Sequence, residues 1–400
     1  MTHRREGRPS IGFVSTYPPT SCGLATFTAA LREAIATRRG SGRDLGVVSV
    51  GDERHIEPRP EVIHRLRSGD DGSLQGAVKA LNDHDVALLQ HEYGIYGGPD
   101  GSEVLDLVSR IEIPAIVTLH TVLGDPTTSQ QRILEKIVDL TDQTIVMSDT
   151  ALRRLNGRYN VDAEKIRVVP HGARASLAGS PPERGPRPIV LTWGLIGPGK
   201  GLESAIEAFA DLEGLHPSPR YIILGKTHPK VQAAHGDAYL DGLEARAGAL
   251  GLGDVVEFDG RYLDLESLTI AIRAADIVLL PYQSTEQVTS GVLVEAIAAG
   301  KPVVATAFPH AIELLGSGAG IVVPHSDTAA MAAALRTLIT DPALADRMAT
   351  RAAAIGSTLH WPAIAAEYES IASRLSRAPL AVVAGLHEPR SHAADLARVG

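Results

Sequence analysis

The sequence holds one cysteine, Cys22, in 400 residues. A single thiol cannot close an internal disulfide, and no Cys/His spacing suggests zinc, so the chain fits a reducing compartment and a fold without a structural metal. Aromatic residues make up only 4%, and no apolar run reaches the roughly 18 residues that a membrane-spanning helix needs. The N-terminal stretch MTHRREGRPSIGFVSTYPP has positive charges but no long apolar region behind them. The expectation is a cytoplasmic protein, neither secreted nor membrane-spanning. Positive charge is not in excess either: 38 Lys plus Arg face 47 Asp plus Glu, a formal net charge of -9. General attraction to nucleic acid or anionic lipid is therefore not built in, and any bound anion must be held by a local site.

With 44% apolar and 21% charged residues, the chain is too long for one ordinary core and too apolar to be disordered. Short apolar runs alternate with longer helical patterns. IGFVST, LGVVSV, VALLQ, AIVTLH, TIVMS and IRVVP lie in the first half, and PIVLTWG, YIILG, VVEFDG, IVLLPY, KPVVAT and GIVVP in the second. Nearly continuous apolar strands separated by helices indicate parallel sheets buried on both faces, so the fold class is α/β, with two doubly wound units in series. Residues 174–188, RASLAGSPPERGPRP, are dense in Pro, Gly, Ser and Arg and read as the linker between domains at 1–173 and 189–375. The helical pattern from 360 to 375 closes the second domain, with room to pack back on the first. Residues 376–400 are expected to be a poorly ordered tail.

In open parallel sheets ligands bind beyond the carboxyl ends of the strands, and two such sheets facing each other make a cleft. The residues just after the strands therefore carry the functional information. GLIGPGKG, 194–201, places glycines, Gly199 among them, and Lys200 before a helix, an arrangement that suits a phosphate or equally an ordinary βα turn. It is neither a P-loop nor a GxGxxG fingerprint. Thr289, Ser290 and Gly291 form a second such turn, offering amides from Thr289 to Val292, and two turns in one domain suit a ligand with more than one phosphate. Glu295, in the first turns of the following helix, suits the helix dipole or a pair of ribose hydroxyls. His120 directly follows an apolar strand and either meets a ligand or completes a core. His91 and Glu92 share that ambiguity, and His171 in VVPHGA reads as structural. Tyr93 and Tyr96, in HEYGIYGGPDG, stack on an acceptor or serve as core aromatics.

The motifs YPPTSCGLATF, TLHT, VMSDTALRRL, VVPHGA, WGLIGPGKGLESAIEAF, VVEFDGRYLDLESL, ADIVLLPY and GVLVEAIAAGKPVVAT occur in the order found in retaining glycosyltransferases of family 4. The chain resembles that family from about Ile11 to Leu375. The resemblance implies the GT-B fold of two facing Rossmann-like domains and transfer of a hexose from a nucleoside diphosphate sugar to an acceptor hydroxyl. It implies no cofactor and no metal, and no DxD pair occurs in a suitable loop. By the same resemblance, Gly23 lies against the donor diphosphate, Lys200 neutralises it, Glu295 holds the ribose, the Arg261–Tyr262 turn holds the base, and His120 reaches the donor sugar. His91, Glu92, Tyr93 and Tyr96 fall on the acceptor side, and the acceptor is a sugar, a lipid-linked group or a small molecule. The family also includes proteins peripheral to the membrane, although no basic amphipathic helix stands out here.

Two positions depart from the family pattern. Gln287 occupies the first place of the E-x7-E motif, whose second place is Glu295, and Leu195 stands where an arginine is expected. Loss of that arginine removes a charge-assisted contact worth about 1.5–3 kcal/mol. Gln287 can still bond sugar hydroxyls but cannot stabilise positive charge on an anomeric carbon. Alternatives are a same-fold epimerase or glycosyl phosphorylase, and a non-catalytic partner protein with a degenerate donor site. A two-domain binding protein of the periplasm shares the layout but not Lys200 and Glu295 in register.

Overall fold

The structure, a computed structural model, describes residues 8–52, 58–174, 185–261 and 263–377. Ten residues of the expected linker (175–184), Tyr262 and the tail beyond Arg377 lie outside the described residues. The strands of the first half are β1 (Ile11–Ser15), β2 (Leu45–Val50), β3 (Val62–Leu66), β4 (Val86–His91), β5 (Ala115–Leu119), β6 (Gln143–Val146) and β7 (Ile166–Val168). Those of the second are β8 (Ile189–Trp193), β9 (Arg220–Leu224), β10 (Val256–Asp259), β11 (Ile277–Leu280), β12 (Val303–Thr306) and β13 (Gly320–Val323).

Every pairing is parallel, in the orders β3-β2-β1-β4-β5-β6-β7 and β10-β9-β8-β11-β12-β13. Each order reverses direction once, between β1 and β4 in the first sheet and between β8 and β11 in the second. Those two reversals are where adjacent loops part and leave a crevice. Both sheets are covered on both faces, which is why their strands read as unbroken apolar runs. Along β4, Ala87 and Leu89 enter one core cluster, while Val86 and Leu88 enter the other.

The last helix, Trp361–Arg377, packs back on the first domain. Trp361, Ile364, Tyr368 and Ile371 share a core cluster with Phe13, Phe27 and Leu31. Full burial of isoleucines such as Ile364 and Ile371 contributes roughly 1.5–3 kcal/mol each, so this helix adheres to the N-terminal domain. Where the chain crosses back, Ala173 N donates to Leu359 O (2.7 Å) and Trp361 N to Ala173 O (2.9 Å), zipping the second crossing to the first. Gly172 is required beside them, because a methyl group there would overlap the Trp361 ring.

Candidate active site

In the C-terminal domain the loops after β8 and β11 meet at the reversal point. Gly201, at φ 68°, lies so close to the Pro281 carbonyl that no side chain fits. Gln283 N donates to Gly199 O (2.9 Å), fastening one loop to the other. Lys200, between these glycines, holds its Nζ 4.3 Å from the centroid of the buried Tyr282 ring. A cation over an aromatic face is attracted by the ring quadrupole, which pre-positions the lysine at the crevice. Leu195 is half-buried in the same loop and offers no charge.

Thr289, Ser290 and Gly291 stand at the start of the helix Gly291–Ala298. Ser290 Oγ caps Leu293 N (3.3 Å), the usual reason for a serine at that place. The Ser290 amide is not offered to a ligand, contrary to expectation, because it donates to His310 Nδ1 (2.9 Å). His310 N in turn donates to Gln287 O (3.2 Å), so this buried histidine braces the turn from both sides. Burial holds its pKa down to about 4, and the accepted amide bond fixes a neutral ring. Thr289 Oγ1 is buried without a partner. Glu295, one turn into the helix, is partly buried. Burial raises its pKa, while a hydrogen bond from the Trp193 indole and the charge of Arg174 oppose the rise. Arg261 is exposed and forked onto Asp259 (2.8 and 2.6 Å), and its backbone amide also donates to Asp259 Oδ1 (3.2 Å), so its carbonyl is the backbone group left for a base.

The N-terminal domain supplies Gly23, at the exposed start of the helix Gly23–Arg39, with open space where a side chain would be. Cys22 caps that helix through Sγ (3.4 Å to Ala25 N). His120 follows β5, edge-on to Phe27 with ring centroids 4.8 Å apart. Its Nε2 lies 2.7 Å from Gln90 Oε1. Burial first, then the neighbouring His171 and His91, lower its pKa to about 3, so it is neutral at physiological pH. Glu92 accepts from the Thr121 hydroxyl and from Tyr93 N (3.1 Å); burial raises its pKa. His91 is wholly buried with no partner on either nitrogen, and burial lowers its pKa to about 4. Tyr93 is half-buried and donates to Gln130 O (3.2 Å). Tyr96 is a correction: it is 7% exposed, packs in the core and donates to Gln90 O (2.8 Å), so it cannot stack on an acceptor. His171 is buried and packs against Phe27 and Trp361. Its Nδ1 donates to Gly172 O (2.7 Å), and its Nε2 would lie 2.9 Å from a methyl group on Gly291.

The loop carrying Gln287 is bound to the opposite domain. Glu286 Oε2 accepts from Arg154 Nη1 (2.9 Å) and from Gly124 N (2.6 Å), and Arg154 also donates to the Glu286 and Val122 carbonyls (3.1 Å each). Ser148 Oγ donates to Val288 O (2.8 Å), and the Val288 side chain is packed in the N-terminal core. Further along, Glu313 accepts from Asp149 N (2.9 Å), Thr150 N (2.7 Å) and Thr150 Oγ1 (2.6 Å), capping the helix Asp149–Arg158 from the other domain. Glu286 is thus engaged across the cleft by Arg154 and Gly124, and the partly buried Gln287 lies between it and Val288, which is packed in the N-terminal core. Arg154, Glu313 and His310 were not legible as site residues, because each acts on a segment far away in sequence. Among the described residues no group of three or more His, Cys, Asp or Glu converges as metal ligands would.

Two facing parallel-sheet domains with loaded strand ends at both reversal points define a GT-B architecture. Two family profiles match end to end: "Glycosyltransferase Family 4" over residues 25–176 and "Glycosyl transferases group 1" over 175–354. The chain belongs to this family and is a glycosyltransferase. A D-inositol 3-phosphate glycosyltransferase from Kineococcus radiotolerans is 29% identical over 377 residues, covering 83% of each chain. A phosphatidyl-myo-inositol mannosyltransferase from Mycobacterium leprae is 28% identical, covering 85% of this chain and 86% of its own. Among solved structures, Anabaena HepE in complex with UDP superposes with a TM-score of 0.73 at 19% identity, over 92% of this chain and all of the other, a likeness of fold.

Proposed function

We propose that the protein moves a hexose from a nucleoside diphosphate sugar to an acceptor hydroxyl, with retention at the anomeric carbon. The observation that carries this is the placement of Lys200 after β8 and of the Gly291 helix start after β11, at the strand ends on either side of the β8/β11 reversal, a lysine and a helix N-terminus of the kind that suits a diphosphate. Relatives named as glycosyltransferases, and a fold neighbour that carries UDP, support the donor class.

In this reading the bond from the anomeric carbon to the diphosphate oxygen breaks first and its electron pair stays on the diphosphate. Lys200 and the amides at Gly23 and Gly291 stabilise that growing charge. The acceptor oxygen bonds the same face of the sugar and its proton passes to a diphosphate oxygen, so no protein base is required. Gln287 and His120 position the sugar, Glu295 takes the ribose hydroxyls, and the backbone beside Arg261 takes the base. Glu92 and Tyr93 remain acceptor-side residues. Leu195 lowers the charge on the diphosphate by one cation, weakening activity without removing it. The acceptor is a sugar, a lipid-linked group or a small molecule, the lipid-linked case with peripheral attachment to a membrane. Among the described residues no helix is long and apolar enough to cross one. The test is turnover of UDP-, GDP- and ADP-sugars with the configuration of the product read by NMR. Release of an inverted product, or of phosphate without an acceptor, would refute the proposal.

A further inference from the structure

Gln90 is a buried amide with no evident reason to be one. It lies on β4 with 0% exposure, and by strand alternation it shares the face of Leu88, against the first and last helices. Among the described residues its Nε2 has no partner, while its Oε1 lies 2.7 Å from His120 Nε2. An apolar residue of similar size would fill the space without stranding a polar atom, so the amide is structurally unfavourable unless the bond to His120 is useful. The backbone adds to that bond, since His120 N donates to His91 O (3.0 Å) and Tyr96 anchors the Gln90 carbonyl.

We propose that Gln90 is a positioning residue that fixes the proton of His120 on Nε2, so that His120 offers its Nδ1 lone pair, as an acceptor, to a hydroxyl of the donor sugar. The inference rests on the reading of His120 as a donor-sugar residue. An amide oxygen only accepts, so an imidazole nitrogen at hydrogen-bond distance from it must carry the hydrogen, and a neutral ring then has its lone pair on the other nitrogen. The titratable groups around the ring are His91 at the end of β4 and His171 beyond β7, both kept neutral by burial; Phe27 on the first helix is apolar. Burial and these two histidines all disfavour the imidazolium of His120. The consequence is selectivity: a sugar lacking the hydroxyl that meets His120 leaves a lone pair without a partner and is a poorer donor.

The experiment is long-range 1H–15N correlation NMR on the full chain labelled at histidine. His120 is assigned by loss of its signals in His120→Gln, and the wild type is compared with Gln90→Leu and Gln90→Glu. The expected wild-type spectrum at pH 7 shows His120 protonated at Nε2 alone. In Gln90→Leu that single tautomer is lost. In Gln90→Glu the carboxylate favours the imidazolium, and kcat/KM for the donor falls at least tenfold at neutral pH, recovering as pH rises. Thermal melts of both variants separate these effects from unfolding, and recovery with pH is a readout that a purely structural role would not give. A wild-type His120 protonated at Nδ1, or an unchanged tautomer in Gln90→Leu, would overturn the proposal. A changed tautomer with unchanged turnover would uphold the Gln90 bond and overturn the role of His120.

Discussion

Replacing Glu286 by Gln should loosen the two domains and weaken nucleotide binding without unfolding either one. The carboxylate accepts two cross-domain bonds, from Arg154 Nη1 at 2.9 Å and Gly124 N at 2.6 Å. Hydrogen bonds to charged groups contribute about 1.5–3 kcal/mol when sheltered. Here the glutamate side chain is 42% exposed and the arginine 18%, so solvent screens the pair and about 1 kcal/mol is the reasonable coupling across the cleft. That corresponds to about a fivefold shift toward open molecules. The assay is a double-mutant cycle of Glu286→Gln with Arg154→Met, read by calorimetric titration of the nucleotide and by the radius of gyration in solution scattering. Each single variant should lose affinity about fivefold and expand. The double variant should be little worse than Arg154→Met, and the coupling should shrink in high salt. Strictly additive losses, or unchanged affinity and radius, would refute the clasp.

Glu313 predicts a pH dependence. Burial alone would raise its pKa, but the Thr150 hydroxyl and the Asp149 and Thr150 amides outweigh burial and hold it below the ordinary carboxylate value. A lowered folded pKa contributes stability that is complete above the ordinary value of about 4.3 and is lost as pH falls through the folded one. Glu313→Gln should therefore melt lower than wild type at pH 7, by about 1 kcal/mol, and the gap should close toward pH 3. Gly201→Ala should destabilise by about 3 kcal/mol or more in denaturant unfolding, since it meets both a positive φ and the Pro281 carbonyl. Tyr96→Phe should lower stability by about 1 kcal/mol while turnover stays unchanged; a tenfold loss of acceptor use at constant stability would return Tyr96 to the acceptor site.

The sheets were legible because most of their strands are largely apolar, and the central ones, such as β1, β4, β5 and β11, are buried throughout. β3 was missed because Val62–Leu66 reads VIHRL, with polar residues suited to its place at the sheet edge. The turn glycines and Lys200 were readable from position alone, since strand ends in a doubly wound sheet converge. The helix start at Ser290 was equally plain, yet its amide is taken by His310, twenty residues on, and no local pattern announces that bond. Tyr96 looked available because a loop rich in glycine follows a strand, but that loop folds inward over the end of β4. Glu286 lies one position before the motif place taken by Gln287, and its partners, Gly124 and Arg154, lie across the cleft with no sequence signal linking them to it.

The most direct test of the donor site is calorimetric titration of the purified protein with UDP-, GDP- and ADP-sugars, alongside Lys200→Ala and Glu295→Gln. One nucleotide class should bind, with Lys200→Ala weakening it tenfold or more through the lost diphosphate contact and Glu295→Gln weakening it through the ribose. Binding that neither substitution disturbs, or no binding by any of the three, would contradict a donor site at the β8/β11 crevice.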